Sequence, residues 1–206
     1  MAPITVDVWS DLVCPWCYIG KHRLRRALEE EPPDSVEVRW HAFQLQPDIP
    51  VEGVEAETYF NGKFGGPQRV AQMHGHVSEI AAADGLDFHF ERQKRAPNTL
   101  LAHRATKIAP DPAAAIETLF RAHFTDGEDI GQRDTIVRLL PDLDANALDR
   151  GDAADLVAED LRLAQEIGIQ GVPFFVAGMR VAVSGAQEPD ILRQLLAEAR
   201  QREAAA

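Results

Sequence analysis

The chain of 206 residues carries 33 Asp and Glu against 21 Lys and Arg, a formal net charge of -12 with an isoelectric point near 5.0. That balance argues against sequence-independent binding to phosphate backbones or anionic lipid, which needs clustered cations, so neither nucleic acid nor a membrane is an expected partner. With 45% hydrophobic and 26% charged residues the composition is that of a globular protein. No apolar run approaches the ~18 residues of a membrane helix. Met1 to Asp7 shows no basic region, long apolar stretch or small-residue cleavage site, so it is not read as a signal peptide. The expected location is the cytoplasm, where two cysteines in a reducing milieu point to redox chemistry rather than a structural crosslink.

In chain order, Ile4 to Trp9 reads as a buried strand rich in β-branched and aromatic residues, stopping at Ser10-Asp11. From Cys17 the positions Ile19, Leu24, Ala27 and Leu28 repeat at helical spacing until Pro32-Pro33 forbids continuation. Val36, Val38 and Trp40 then alternate with polar residues, the period of a half-buried strand running toward Leu45. Between Val54 and Ile167 no strand pattern is predicted. Helices are expected over 70–83, 99–109 (capped by Asn98 after Pro97) and 113–124, shorter ones over 134–140 and 145–148, and a last over 153–167. Strands return over 174–177 and 180–183, joined by a tight turn at Gly178-Met179, followed by a helix over 190–200 and a frayed tail over 204–206.

The segment Cys14-Pro15-Trp16-Cys17 sits where the first strand hands over to a helix. Unpaired N–H groups and the positive end of the helix dipole favour a thiolate there, so Cys14 is expected to ionise below the free-thiol value of ~8.5. Cys17, three residues on, returns to the same helix face and can close a ring with Cys14: one thiol attacks and the other resolves the mixed disulfide. Pro15 suits the first helical turn because it has no N–H to leave unpaired, and Trp16 offers a bulky surface beside the sulfurs. A chance C-x-x-C, half of a zinc site and two inert thiols are the alternatives. A zinc site would need a second ligand pair, which the sequence does not supply at finger-like spacing.

A second signal is Gly168-Ile169-Gln170-Gly171-Val172-Pro173-Phe174-Phe175, in which a proline precedes a buried strand. Proline cannot donate to a sheet ladder, so it stands at a strand start or a bulge. It either simply starts the strand or forms a cis bond.

A strand followed by C-P-W-C, a helical block and then G-V-P-F-F resembles the DsbA family of the thioredoxin superfamily. The phrases Ser10-Asp11-Leu12-Val13-Cys14-Pro15-Trp16-Cys17, Ala96-Pro97-Asn98-Thr99 followed by Ala102-His103-Arg104, and Gly127-Glu128-Asp129-Ile130 are similar to its cytoplasmic FrnE-like branch. The resemblance implies an α/β fold: a thioredoxin-like domain from 1–50 and 169–206, interrupted by an all-helical domain over 51–168. It implies a cis Pro173 packed against the cysteine pair and a Val172 whose main chain binds substrate. The branch is related to the 2-hydroxychromene-2-carboxylate isomerases and kappa-class glutathione transferases, which carry a serine where this chain has Cys14.

The implied function is dithiol/disulfide exchange with Cys14 as nucleophile, Cys17 as resolving thiol and Pro173 with Val172 orienting the incoming sulfur. Pro15, Trp16 and Asn98 join Val172 as expected substrate-binding residues. Protein thiols or disulfides are the expected partners, with glutathione as a co-substrate and no metal or organic cofactor. A glutathione-dependent isomerase or transferase, and a redox-regulated binding module without turnover, are the other two readings. His22 and His41 are candidates to tune the thiolate, though a lone histidine is more often structural. His74 and His76 point in different directions on a helix and make a poor metal pair. Glu29, Glu30 and Glu31 read as a solvated helix end.

Overall fold

A computed structural model describes residues 3–205; Met1, Ala2 and Ala206, and with them part of the leader and tail readings, lie outside the described residues. The chain divides into two compact units, one running through Phe43 and resuming at Asp160, the other spanning Gln44–Glu159.

The first unit is built on β1 (Ile4–Ser10), α1 (Pro15–Leu28) and β2 (Val36–Ala42), and later β5 (Phe174–Ala177), β6 (Val181–Ser184) and α9 (Pro189–Ala204). The strands form one sheet in the order β2-β1-β5-β6, with β1 parallel to β2 and antiparallel to β5, and β5 antiparallel to β6. Strand alternation decides which side chains face which layer. Ile4, Val6 and Val8 turn to one face and pack with Leu24 and Ala27 of α1, Phe175 of β5, and Leu192, Leu195, Leu196 and Ala199 of α9. Trp9 turns to the opposite face, against Ala164 of α8 (Ala154–Glu166) and Ile169. Helices therefore cover both faces, as in a thioredoxin-like sheet.

At Gly20 of α1 there is no room for a side chain: a Cβ built there would lie 2.8 Å from Pro173 Cγ and 3.3 Å from Phe175 Cζ. The missing side chain is what lets Pro173 sit against the helix. The β5–β6 turn needs left-handed backbone at both central residues, Gly178 (φ 57) and Met179 (φ 56).

The domain boundaries differ from the expected 50/51 and 168/169, and the second falls within α8. The cause is Asp160, a buried carboxylate. It accepts hydrogen bonds from Ala42 N at 2.8 Å and His41 Nδ1 at 2.7 Å, while its own main-chain oxygen accepts from Trp9 Nε1 at 3.3 Å. His41 Nε2 also bonds Asp7 at 2.9 Å, and its ring stacks on Trp9 at 4.4 Å. An imidazole flanked by two carboxylates donates from both nitrogens only in its protonated, imidazolium form. Burial works against that charge, but the hydrogen bonds to Asp160 and Asp7 outweigh it and raise the His41 pKa.

The second unit holds β3 (Val54–Glu55), α2 (Ala56–Phe64), α3 (Pro67–Ala83), β4 (Arg95–Ala96), α4 (Leu100–Ile108), α5 (Pro112–Arg121), α6 (Arg133–Leu139) and α7 (Ala145–Arg150), and the first residues of α8. Its expected all-helical character needs one correction, because β3 and β4 pair antiparallel. Two-residue strands have no period to read, and only the pairing of Val54 with Ala96 and of Glu55 with Arg95 defines them. Helix α2 lies where the sequence spacing predicts no helix. It buries only Ala56, so no apolar stripe announces it, and it starts because the Glu55 carboxylate caps Glu57 N at 3.1 Å and Thr58 N at 2.6 Å. α5 widens into a π turn over Ala122–Asp126 and ends on left-handed Gly127. Phe88 and Phe124 stack at 4.8 Å beside Phe90 and Phe120 in this unit's interior.

Two predictions follow from this packing. Gly20→Ala crowds Pro173 and lowers thermal stability by about 1 kcal/mol, the overpacking penalty less the gain in helix propensity. Gly75→Ala, at an open position of α3 with nothing within 4 Å of the added Cβ, raises stability by about 1 kcal/mol. Equal shifts in denaturation midpoint for the two variants would contradict the close approach. For His41, the folded-state pKa lies above the unfolded ~6.5, so its contribution is complete below about pH 6 and fades as pH rises through the folded value. His41→Gln therefore costs ~2 kcal/mol at pH 5.5 and clearly less at pH 9, measured by chemical denaturation at both values.

Candidate functional site

At the end of β1 the chain turns tightly, Cys14 N donating to Asp11 O at 3.0 Å, and α1 begins with Cys14 as its N-cap at φ -92 and ψ 112. Pro15 occupies the first helical position, and Cys17 N and Tyr18 N donate to Cys14 O at 3.0 and 3.3 Å. The Cys14 side chain makes no capping hydrogen bond, so its sulfur stands beside the positive end of the helix without being consumed by it. Asp or Glu is absent from the first turn of α1.

Both cysteines are free thiols and nearly covered, Cys14 3% and Cys17 1% exposed. Burial pushes the Cys17 thiol well above its ordinary value, and its hydrogen bond to and charge repulsion from Cys14 push it further; the Asp11 main-chain N–H and the Ser10 hydroxyl pull the other way. Burial thus opposes ionisation of Cys17. The Cys14 sulfur donates to the main-chain oxygen of Val172 at 3.6 Å. Val172 precedes Pro173 through a cis peptide bond, and the Pro173 oxygen accepts from Gly185 N at 2.8 Å.

Four of the residues singled out in the sequence, Cys14, Cys17, Val172 and Pro173, thus meet at the junction of β1, α1 and β5. Pro15 and Trp16 stand half-buried on the first turn of α1. Asn98 is placed differently. It belongs to the second unit, its amide donates to Ile49 O at 2.7 Å, and its oxygen accepts from Gln44 Nε2 at 3.2 Å and Leu100 N at 3.0 Å. It steadies the start of α4 from the position before the cap, which is Thr99 rather than Asn98 itself.

His22 lies on α1 with Nε2 3.3 Å from an Arg25 nitrogen, and both nitrogens of His41 are taken by Asp7 and Asp160. His74 stacks on Phe90 at 4.0 Å, and burial lowers its pKa; it borders a cavity of about 560 Å³ in the second unit that holds none of the residues expected to act. Sequence reasoning missed Ser10 and Gly20. Gly20 carried a usable signal, being a glycine inside a helical run beside the C-x-x-C.

Likeness to known proteins agrees with this geometry. A probable DsbA oxidoreductase from Streptomyces coelicolor is 31% identical in sequence with a TM-score of 0.85, over 96% of this chain and 90% of that one. A 2-hydroxychromene-2-carboxylate isomerase superposes with a TM-score of 0.69 at 16% identity, over 98% of each chain. The cytosolic disulfide reductase DsbM from Pseudomonas aeruginosa, in a structure with GSH, superposes at 0.64 with 24% identity, over 96% of this chain and 99% of that one. At these last two identities the likeness is one of fold. The model of the DSBA-like thioredoxin domain matches residues 5–197, so nearly the whole chain is spanned by it and the protein belongs to that family.

Proposed function

We propose that the protein is a cytoplasmic thiol:disulfide oxidoreductase that exchanges a Cys14–Cys17 dithiol or disulfide with protein thiols, protein disulfides or glutathione, without a metal or organic cofactor. The observation that carries this reading is the N-cap position of Cys14, its sulfur against the Val172 carbonyl and its partner thiol Cys17 buried one turn on. The DsbM structure with GSH supports a small thiol as co-substrate and a cytosolic setting for a protein of this fold.

The chemistry divides between the two sulfurs. Cys14, as thiolate at the helix terminus, attacks a substrate disulfide; its new S–S bond forms as the substrate bond breaks, and the leaving sulfur takes a proton. Cys17 then loses its proton and attacks Cys14, closing the intramolecular disulfide and releasing the second substrate thiol. Run in reverse, a substrate thiolate attacks Cys14 and Cys17 leaves. An incoming chain that extends along Val172 replaces the Cys14–Val172 contact with contacts of its own main chain, which places its sulfur in line with Cys14.

Two outcomes test this reading. Cys17→Ser keeps the attacking thiol without its resolver and accumulates mixed disulfides with glutathione and with protein thiols on non-reducing gels and by mass spectrometry, whereas Cys14→Ser accumulates few. Equal trapping by both variants overturns the division of roles. In the reduced protein at pH 7, iodoacetamide modifies Cys14 at least about tenfold faster than Cys17, because burial keeps Cys17 a thiol. Resistance of both sulfurs to alkylation would instead favour a shielded binding module, and isomerisation of a chromene carboxylate by Cys14→Ser would favour the isomerase reading.

A further inference from the structure

The end of β1 buries a hydroxyl that the dithiol leaves unpaired. Ser10 is 6% exposed, and its Oγ has no hydrogen-bond partner among the described residues. Such a group is costly relative to alanine, which has nearly the same volume and nothing to desolvate, so its presence calls for a state of the protein in which it is paired.

Strand alternation fixes where the hydroxyl points. Val6 and Val8 face α1, and Ser10, two residues on, faces the same layer at the point where α1 begins. Its main chain is pinned there, the Ser10 oxygen accepting from Phe43 N at 3.0 Å. Cys17, 1% exposed on the first turn of α1, is the group it meets: the Ser10 hydroxyl and the Asp11 N–H are the two donors that favour a charged Cys17 sulfur, against burial and Cys14, which oppose it. In the reduced thiol state the hydroxyl makes no hydrogen bond among the described residues; a neutral thiol is a weak acceptor that does not draw it in, whereas a thiolate is a strong one that would.

We propose that Ser10 is the hydrogen-bond donor for the resolving thiolate: its hydroxyl, with the Asp11 main-chain N–H, forms a two-donor recess that receives the Cys17 sulfur whenever that sulfur is anionic. The inference rests on the exchange reaction assigned to Cys14 and Cys17. During resolution Cys17 gives its proton to solvent, its thiolate is held by Ser10 and Asp11, and it then attacks Cys14; the Cys14–substrate bond breaks, and the substrate sulfur departs with the electron pair and takes up a proton. In the reverse direction a substrate thiolate attacks Cys14, the Cys14–Cys17 bond breaks, and the same two donors hold the departing Cys17 thiolate until it is protonated. The recess thus acts on Cys17 alone and leaves the first attack by Cys14 untouched.

The test uses the full chain and glutathione disulfide as oxidant. Mixing with the reduced protein, acid quenching and mass spectrometry separate formation of the Cys14–glutathione adduct from its resolution by Cys17. Ser10→Ala is expected to slow resolution about tenfold at pH 7 and to move its pH midpoint up by about one unit, while Ser10→Thr, which keeps a hydroxyl, stays within about threefold of the wild type. The iodoacetamide rate of Cys14, compared between Cys17→Ser with and without Ser10→Ala, is expected to be the same, and the thermal midpoint of reduced Ser10→Ala equal to or above that of the wild type. Unchanged resolution in Ser10→Ala, or equal slowing of both steps, overturns the proposal. A second arm does not depend on turnover: the ultraviolet thiolate absorbance of Cys17 is titrated in Cys14→Ser with and without Ser10→Ala. A higher midpoint on loss of the hydroxyl supports the recess even if the wild type forms no adduct, an outcome that would count against the exchange reaction alone; an unchanged midpoint overturns the recess.

Discussion

The contact on which the site depends is the hydrogen bond from the Cys14 sulfur to the Val172 oxygen, made across 158 positions of sequence. Neither end could hold that geometry by itself. Cys14 is placed by the tight turn from β1 and by Pro15 starting α1, and Val172 by the strand that follows it, which pairs antiparallel with β1 so that Trp9 lies opposite Phe174. Gly20 supplies the space in which Pro173 lies against α1. The sheet, the helix and the loop are each ordinary; their meeting brings a sulfur at a helix terminus against a main-chain carbonyl aimed at it.

The two sulfurs differ because their surroundings differ. Cys14 stands at the cap, with the helix dipole ahead of it and no acidic side chain in the first turn to oppose a negative charge. Cys17 lies one turn deeper, where burial raises its pKa and only Ser10 and Asp11 offer compensation. An exchange reaction needs this inequality, because the thiol that attacks second must wait until the first has reacted. Placing both cysteines on one short turn gives them the proximity, and placing one of them beneath the strand end gives them the order.

Away from the sulfurs, the face of the sheet that carries Trp9 joins an apolar cluster with Ala164 and Ile169 to a charged one. His41 links Asp7 of β1 to Asp160 of α8 while stacking on Trp9. Asp160 also takes the Ala42 N–H, so one carboxylate helps to fix the end of β2 and a turn of α8 together. Because the paired state requires an imidazolium, this latch is strongest at mildly acidic pH and weakens as the solution turns alkaline. Trp9 adjoins Ser10 in β1, so the latch and the recess for Cys17 occupy opposite faces of the same strand.

Much of the fold was legible in the chain itself, because its elements announce themselves by local means. Alternation marked β2, a run of β-branched and aromatic residues marked β1, the Pro32-Pro33 pair marked the end of α1, and the resemblance of C-P-W-C and G-V-P-F-F to one family tied together two segments that no local pattern connects. The elements that stayed hidden are those with no period: the two-residue β3 and β4, defined by their mutual pairing, and α2, which buries a single alanine. The residues that stayed hidden are likewise relational. Asp160 sits in a helix like any surface acid until the fold brings His41 and Ala42 to it, and Asn98 reads as a cap until its amide is seen to bond Ile49 and Gln44. The sequence by itself determined where the cysteine pair stands, because C-P-W-C at a strand-to-helix junction is a local fact. Only the tertiary structure decided that Ser10 is buried on the side of the sheet that faces α1 and that Gly20 receives Pro173, because burial and close approach are properties of distant segments packed together.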